Sequence, residues 1–377
     1  MAATSALASR NPFGYAAAVP PENVGAEITQ PNMSSALALI TGGSGYFGSL
    51  LRDRLRARGQ AVRVFDLADA DDRAPDVNFV RGDIRDAAQV REAVAGCEVV
   101  YHCVAQVPLA KDKELFHSVN VHGTENLLAA ALAAKTRKVI YVSSSAVFGV
   151  PKANPVTEET PPSPGEAYGR AKFEGETLCH QHAQRGLDVS IIRPRTIMGH
   201  GRLGIFQILF EWIREGYNVP VFGRGDNVYQ FVHADDLAEA CLLAATRPGA
   251  TTYNCGAARF GTMREALEKL CAHAKTGSKV RGVPMTPAVA VMQLTSTLGL
   301  SPLGAYHALM YGRSLYFDIG KAQRELNWQP RYSTDDMFAQ SYDWYLANRE
   351  KILHAHHASH HRSAVKQGVL SLVKHLL

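Results

Sequence analysis

The sequence predicts an α/β fold: a doubly wound parallel sheet followed by a smaller, partly helical region. Three observations predict it. From Ala36 onward, short apolar runs alternate with segments of helical period, the order that makes parallel strands joined by crossover helices. The runs are continuously apolar, as strands buried on both faces require. A cluster of glycines stands where the first run meets the first helical segment.

Taken in order, ALALITG (36–42) is the first strand and YFGSLLRDRLRARG (46–59) the first helix, closed by Gly59. AVRVFD (61–66) and VNFVRGD (77–83) are the next strands. Helical AAQVREAVAG (87–96), extended EVVYHCVA (98–105), helical NVHGTENLLAAALAA (120–134) and extended KVIYVSSSAVFG (138–149) follow. PKANPVTEETPPSPGE (151–166) has the Pro and Thr content of a loop. It leads into the helix that opens EAYGRAKFEGE (166–176) and then the buried strand LDVSIIRP (187–194). Beyond about 200, helical IFQILFEWIREG and MREALEKLCAHA alternate with short extended QFVHADD and TTYNCG.

Composition excludes several classes. The chain has 377 residues, 46% apolar and 20% charged, the make-up of a globular protein with a large core. A net charge of +5 without a dense Lys/Arg tract gives no footprint for nucleic acid. The cysteines at 97, 103, 179, 241, 255 and 271 show no metal-ligand spacing, so free thiols in a reducing, cytoplasmic setting are expected. No stretch reaches the roughly eighteen apolar residues of a membrane span. Residues 1–35 lack the basic start and apolar run of a secretory signal; they are expected to be a disordered extension, with Met33 an alternative start.

ITGGSGYFGSLL joins the first strand to the first helix and satisfies Gly42-x-x-Gly45-x-x-Gly48 and, from Gly43, G-x-G-x-x-G. Glycines there permit a tight turn, close approach to a pyrophosphate and packing of helix on strand, while the helix N-terminus offers N–H groups to phosphate. Asp66 ends the second strand, where an acid grips a ribose 2′-hydroxyl and repels a 2′-phosphate, so NAD is favoured over NADP. Asp83 ends the third strand; an adenine contact and a turn cap both account for it. The expected organisation is a Rossmann-type NAD-binding domain at 36–198, with 228–258 returning to it, and a substrate-binding region at 199–349. A His-rich linker and basic amphipathic helix occupy 350–377.

Eight segments in order, TGGSGYFG (41–48), VVYHCVAQV (99–107), NVHGTENLL (120–128), YVSSSAVFG (141–149), AYGRAK (167–172), IIRP (191–194), FVHADDLAEA (231–240) and FDIGKAQRELNWQP (317–330), carry a resemblance. The chain resembles the extended short-chain dehydrogenase/reductases, the NAD-dependent epimerase/dehydratase group, from about Ala36 to Arg349. The resemblance implies an enzyme with Ser144, Tyr168 and Lys172 as its catalytic set. It implies cofactor contacts from Gly42, Gly45, Tyr46, Phe47, Gly48, Asp66, Asp83, Ile84, Val104, Ala105, Asn120, Ser143, Tyr168, Lys172 and Pro194. Asn120 would be a structural residue, and a homodimer is implied. Phe148 stands where the family often has tyrosine.

The residues themselves agree with that reading. Positions i and i+4 of a helix share a face, so Lys172 can lie near the Tyr168 phenol and favour its ionised form. A base tuned towards neutrality suits removal of an alcohol proton. Lys172 can also bond the nicotinamide ribose, and Ser144 can hold the substrate oxygen.

For the substrate, the family's nucleotide-sugar enzymes usually carry an asparagine just after Arg-Pro; IIRPRTIMGHG has Arg195-Thr196 instead. The stretch 283–318 is largely apolar and looks like the corresponding segment of the 3β-hydroxysteroid and sterol dehydrogenases; plain core or a dimer contact also accounts for it. Val365, Val369, Leu372 and Leu376 form one helical stripe with Lys366 and Lys374 among polar positions. Such a helix can lie in a membrane interface beside a lipid substrate, or dock on the protein's own surface. His354, His356, His357, His360 and His361 read as a solvated linker, and no metal is expected. The expectation is therefore NAD-dependent oxidation of a secondary alcohol, the 3β-hydroxyl of a sterol or a related lipid β-hydroxyl. The alternatives are a nucleotide-sugar 4-epimerase or dehydratase and a non-catalytic NAD-binding regulator.

Overall fold

Seven short segments hydrogen-bond side by side as one parallel sheet; the inner strands are buried on both faces, and the edge strand at 78–81 is partly exposed. The computed structural model describes residues 36–106, 113–202, 205–297, 310, 312–354 and 374–375. The strands are β1 (Ala38–Thr41), β2 (Val62–Asp66), β3 (Asn78–Arg81), β4 (Val99–His102), β5 (Lys138–Val142), β6 (Val189–Pro194) and β10 (Thr251–Cys255). Across the sheet they run β3-β2-β1-β4-β5-β6-β10, and every neighbouring pair is parallel. The order reverses direction between β1 and β4. In such sheets a ligand binds at this reversal, beyond the carboxyl ends of the strands.

Helices cover both faces. On one lie α1 (Tyr46–Ala57) and α7 (Ala234–Thr246), which pack on each other. On the other lie α2 (Ala87–Val94), α4 (Gly123–Ala133) and α5 (Ala167–Gln184). The two cores follow the alternation of the strands: Ile40, Val64 and Ile140 face the α1–α7 side, while Leu39, Phe65 and Val139 face the α2–α4 side. A short α3 (Lys113–His117) runs through a π-helical turn, Ser118–His122, into α4.

A second cluster of elements sits beyond the carboxyl ends. β7 (Thr196–Met198) pairs with β9 (Phe231–His233), and β8 (Val219–Phe222) with β11 (Val280–Val283), both parallel. α6 (Ile205–Arg214), α8 (Met263–Ala274) and α11 (Thr334–His354) enclose a third core around Phe210, Phe231, Phe338 and Tyr345. α10 (Gly320–Leu326) packs on β10 and α7. Only the first three residues of the expected extended piece QFVHADD after Gln230 stay in a strand. His233 then caps α7 by accepting the Asp235 N–H at 3.1 Å, so Ala234 already belongs to the helix.

Helix α11 continues through Arg349 to His354, past the expected start of a linker at 350. Of the apolar stretch 283–318, α9 (Met285–Thr297) is helical, while 298–309 and 311 lie outside the described residues. Met292 is buried there, yet Val291 and Leu294 are 59% and 60% exposed, so α9 is not plain core. The extension 1–35, with Met33, lies outside the described residues, as do His356, His357, His360, His361 and all four residues of the tail stripe, Val365, Val369, Leu372 and Leu376. Of the tail, Lys374 pairs with Glu215 and sits over the Tyr217 ring, whose other neighbour is His375. Among the described residues no helix is long and apolar enough to cross a membrane.

Candidate active site

The phosphate loop is built by steric need. Gly42 has φ +74°, and a Cβ there would press on the backbone of Val104 at the end of β4. A Cβ on Gly48 would overlap the Gly42 carbonyl. Gly45 is the N-cap of α1 and supplies no side chain to the first N–H groups, which stay open to an anion. The Ser44 hydroxyl is shielded and without a partner among the described residues. Asp66 accepts the Ser44 N–H at 3.1 Å and the Leu67 N–H at 2.8 Å, leaving a second lone pair on each oxygen. Burial raises its pKa, and those backbone N–H groups oppose the rise. This cradle and acid fit a dinucleotide with a free 2′-hydroxyl.

The remaining expected cofactor residues divide. Tyr46 and Phe47 open α1 and are buried. Ile84 is buried against Gly123. Val104 and Ala105 follow β4 at the rim, and Pro194 ends β6. The Asp83 carboxylate accepts the Arg85 N–H at 2.9 Å and pairs with its guanidinium, which holds its pKa down; that is the turn-cap arrangement. Ser143 donates to Glu176 at 2.5 Å, so its hydroxyl is tied into the buried Glu176–Arg193 pair. Asn120 accepts the Gln106 N–H at 2.8 Å and donates to the Gln106 carbonyl at 3.0 Å, clamping the segment after β4.

Ser144 and Tyr168 come together where β5 ends and α5 begins, with Lys172 one turn further along α5. Ser144 caps the 3₁₀ turn Ser145–Phe148 by accepting the Ala146 N–H at 3.1 Å. Glu166 caps α5 by accepting the N–H groups of Tyr168 and Gly169 at 2.8 and 2.6 Å, which fixes the first turn that carries Tyr168. Burial pushes the Tyr168 phenol up to about 12, and hydrogen bonding to Ser144 opposes the rise. Lys172 donates to the Val142 carbonyl at 2.9 Å and lies over the Tyr141 ring. Burial pushes its ammonium down to about 8. Sequence spacing alone suggested an ammonium that lowers the phenol. In the folded chain burial governs both groups, and the cation acting on Tyr168 is Arg202.

Arg202 and the depth of Glu176 were not visible in the sequence. Glu174 is exposed as a helix surface should be, but Glu176 is 1% exposed and paired with Arg193 at 2.7 Å. Arg195 is fully buried, donating to Ser145 at 2.7 Å between the rings of Tyr229 and Phe317.

Among the described residues, His200, His233 and Asp235 bring possible metal-ligand atoms within 4.8 Å of one another. The Nδ1 lone pair of His233 is taken by the Asp235 N–H, which leaves the ring proton on Nε2. Asp235 pairs with Arg54 at 2.8 Å. Two of the three, His233 and Asp235, are already committed to a helix cap and an ion pair.

The profile of the NAD dependent epimerase/dehydratase family matches residues 38–256. The chain belongs to this family. Membership carries with it the extended short-chain dehydrogenase/reductase type of enzyme and NAD as cofactor, in agreement with the phosphate loop and Asp66. Within the family, the y4nG protein of Sinorhizobium fredii is 53% identical over 341 residues, 90% of this chain and 86% of that one. A human sterol-4-alpha-carboxylate 3-dehydrogenase (decarboxylating) is 33% identical over 59% of this chain, a match that spans 61% of the human protein. A UDP-glucose 4-epimerase of Mycolicibacterium smegmatis is 29% identical over 81% of this chain and 97% of its own. The fold is shared with the Thermotoga maritima UDP-glucose 4-epimerase structure, with TM-score 0.70 and 23% identity over 83% of this chain and 99% of that one.

Proposed function

We propose that this family member oxidises a secondary alcohol on a lipid, such as the 3β-hydroxyl of a sterol or a related β-hydroxyl, with Tyr168 as the base. The observation that carries the reading is the withdrawn Ser144–Tyr168–Lys172 group beyond the carboxyl ends of the strands. When bound, NAD supplies the hydride acceptor. Tyr168 Oη takes the hydroxyl proton, Ser144 Oγ holds the substrate oxygen, and Lys172, fixed by the Val142 carbonyl, orients the ribose and supplies positive charge.

Two features support a lipid over a nucleotide sugar. The cation that follows Pro194 is Arg195, enclosed by aromatic rings and not free to meet a diphosphate. Helix α9 carries exposed Val291 and Leu294 beyond the carboxyl ends of the sheet, a surface suited to apolar ligand or membrane contact. The membrane role of the tail and a homodimeric state remain part of this proposal. The second reading, a nucleotide-sugar 4-epimerase, draws on the near full-length likeness to the mycobacterial enzyme.

The test is absorbance at the NADH band with sterols, β-hydroxy acids and UDP-sugars, for wild type and Tyr168→Phe. NADH formed from a hydroxylated lipid by wild type alone supports the reading. Interconversion of UDP-sugars without net NADH supports the epimerase.

A further inference from the structure

Two arginines, Arg193 in β6 and Arg195 just after it, grip the 3₁₀ turn that Ser144 opens. At the far end of the turn, the Arg193 guanidinium lies 5.0 Å from the Phe148 ring centre, and Phe148 meets Phe317 edge-on at 5.7 Å. At the near end, Arg195 donates from Nη1 to the Ser145 hydroxyl at 2.7 Å. The Arg195 backbone is fixed as well, its N–H donating to the Cys255 carbonyl at 2.9 Å. Its guanidinium lies 4.6 Å from the Tyr229 ring centre and 5.6 Å from that of Phe317. Tyr229 is itself held by a 2.9 Å hydrogen bond between its hydroxyl and that of Thr196. Arg193 has Glu176 as its counter-charge. Among the described residues no carboxylate pairs with Arg195, and its Nε and Nη2 meet no acceptor.

Both partners are buried, Arg195 at 1% and Ser145 at 2% exposure. Burying an unpaired guanidinium is unfavourable, and contact with aromatic rings offsets only part of the penalty. An apolar side chain of similar volume would fill the same space without it. What the guanidinium adds is direction, because a charge-assisted bond fixes the first residue of the turn in one orientation. Ser144 depends on that orientation. Its Oγ accepts the Ala146 N–H at 3.1 Å, so the set of the turn decides where the hydroxyl can present its own proton.

We propose that Arg195 is a positioning residue for the reaction: through Ser145 it fixes the turn from which Ser144 aims its hydroxyl at the substrate oxygen. The chain keeps a buried charge there at the expense of stability. The inference rests on the role of Ser144 in the dehydrogenase reading and adds to it a residue that touches neither substrate nor cofactor.

The test uses the full chain saturated with NADH, as wild type, Arg195→Met, Ser145→Ala and the two substitutions combined. Amide hydrogen exchange over Ser145–Phe148, read by mass spectrometry, needs no substrate. In Arg195→Met it is expected to rise about tenfold or more, the worth of one charge-assisted bond, while the strands of the main sheet exchange as before. The urea midpoint should stay level or rise, because an apolar side chain replaces an unpaired buried charge. Turnover is measured with whichever of 3-hydroxydodecanoate, cholesterol or UDP-glucose wild type converts. In Arg195→Met kcat should fall about 10–100-fold while KM changes less than about threefold, the mark of lost aim and not of lost binding. Ser145→Ala should lose as much, and the double variant no more than either single one. Four results overturn the proposal: unchanged exchange in Arg195→Met; a lower midpoint with kcat kept, which makes Arg195 a packing residue; additive losses of kcat in the double variant, which place its action elsewhere than Ser145; or a rise in KM alone, which puts it on the substrate. Absence of turnover by wild type with all three compounds would count against the dehydrogenase reading and leaves the exchange comparison to decide the role of Arg195, so the two claims fail separately.

Discussion

Tyr168 and Lys172 were legible as a pair because a helix brings positions i and i+4 to one face. What surrounds them was not legible, since their chemistry depends on burial and on Arg202, which comes from a loop 34 residues after Tyr168 in sequence. Replacing Tyr168 by Phe removes only a hydroxyl from a packed ring beside Phe116. We expect turnover to fall by about 10²–10⁴-fold, the usual worth of a positioned acid–base group, with NADH affinity kept. A fluorescence titration alongside the rate assay checks both. Gly48 makes the opposite case, a residue whose steric need for glycine the pattern alone announces. Gly48→Ala must displace the Gly42 carbonyl, and overpacking of this kind costs about 1–3 kcal/mol. NADH affinity should fall about tenfold or more; an unchanged dissociation constant would remove the loop from cofactor binding.

At the scale of elements, the strand–helix alternation placed all seven strands of the main sheet, because continuous apolar runs have few other stable homes. Boundaries were read less well where a polar side chain decides them, as when His233 starts α7 two residues before Asp235. The contact between α5 and β6 was hidden for another reason. Glu176 looked like helix surface, and only the register of α5 on the sheet turns it inward to Arg193. Glu176→Gln leaves that guanidinium without a counter-charge while keeping an amide oxygen that can accept from Ser143. A loss of about 3–5 kcal/mol is expected, read as a lower urea midpoint with an unchanged slope. Glu176→Leu combined with Arg193→Met should lose much less; equal losses would show that packing, not charge, holds the joint.

For the whole molecule, α6 and α11 are joined through Glu211, which accepts from Arg349, Arg214 and Tyr345. The partners lie as far as 138 residues away in sequence, so no local pattern announces them. Burial raises the Glu211 pKa, but hydrogen bonds from Arg349, Arg214 and Tyr345 outweigh it and bring the pKa from 4.5 to about 2. The folded pKa lies below the unfolded one, so the stabilisation is complete above about 4.5 and is lost as pH falls through about 2. Glu211→Gln should therefore lower Tm at pH 7 and flatten the acid limb of Tm against pH; an acid limb of wild-type steepness would exclude Glu211 as its source. The region that these helices enclose was the least legible part of the chain, because its joints are made by side chains far apart in sequence. The account as a whole turns on whether NAD is consumed. With excess NAD and a hydroxylated sterol or β-hydroxy lipid acid, it predicts NADH accumulating over many turnovers in wild type and none in Tyr168→Phe. Epimerisation of a UDP-sugar with the NAD pool unchanged, and no lipid oxidised, would contradict it.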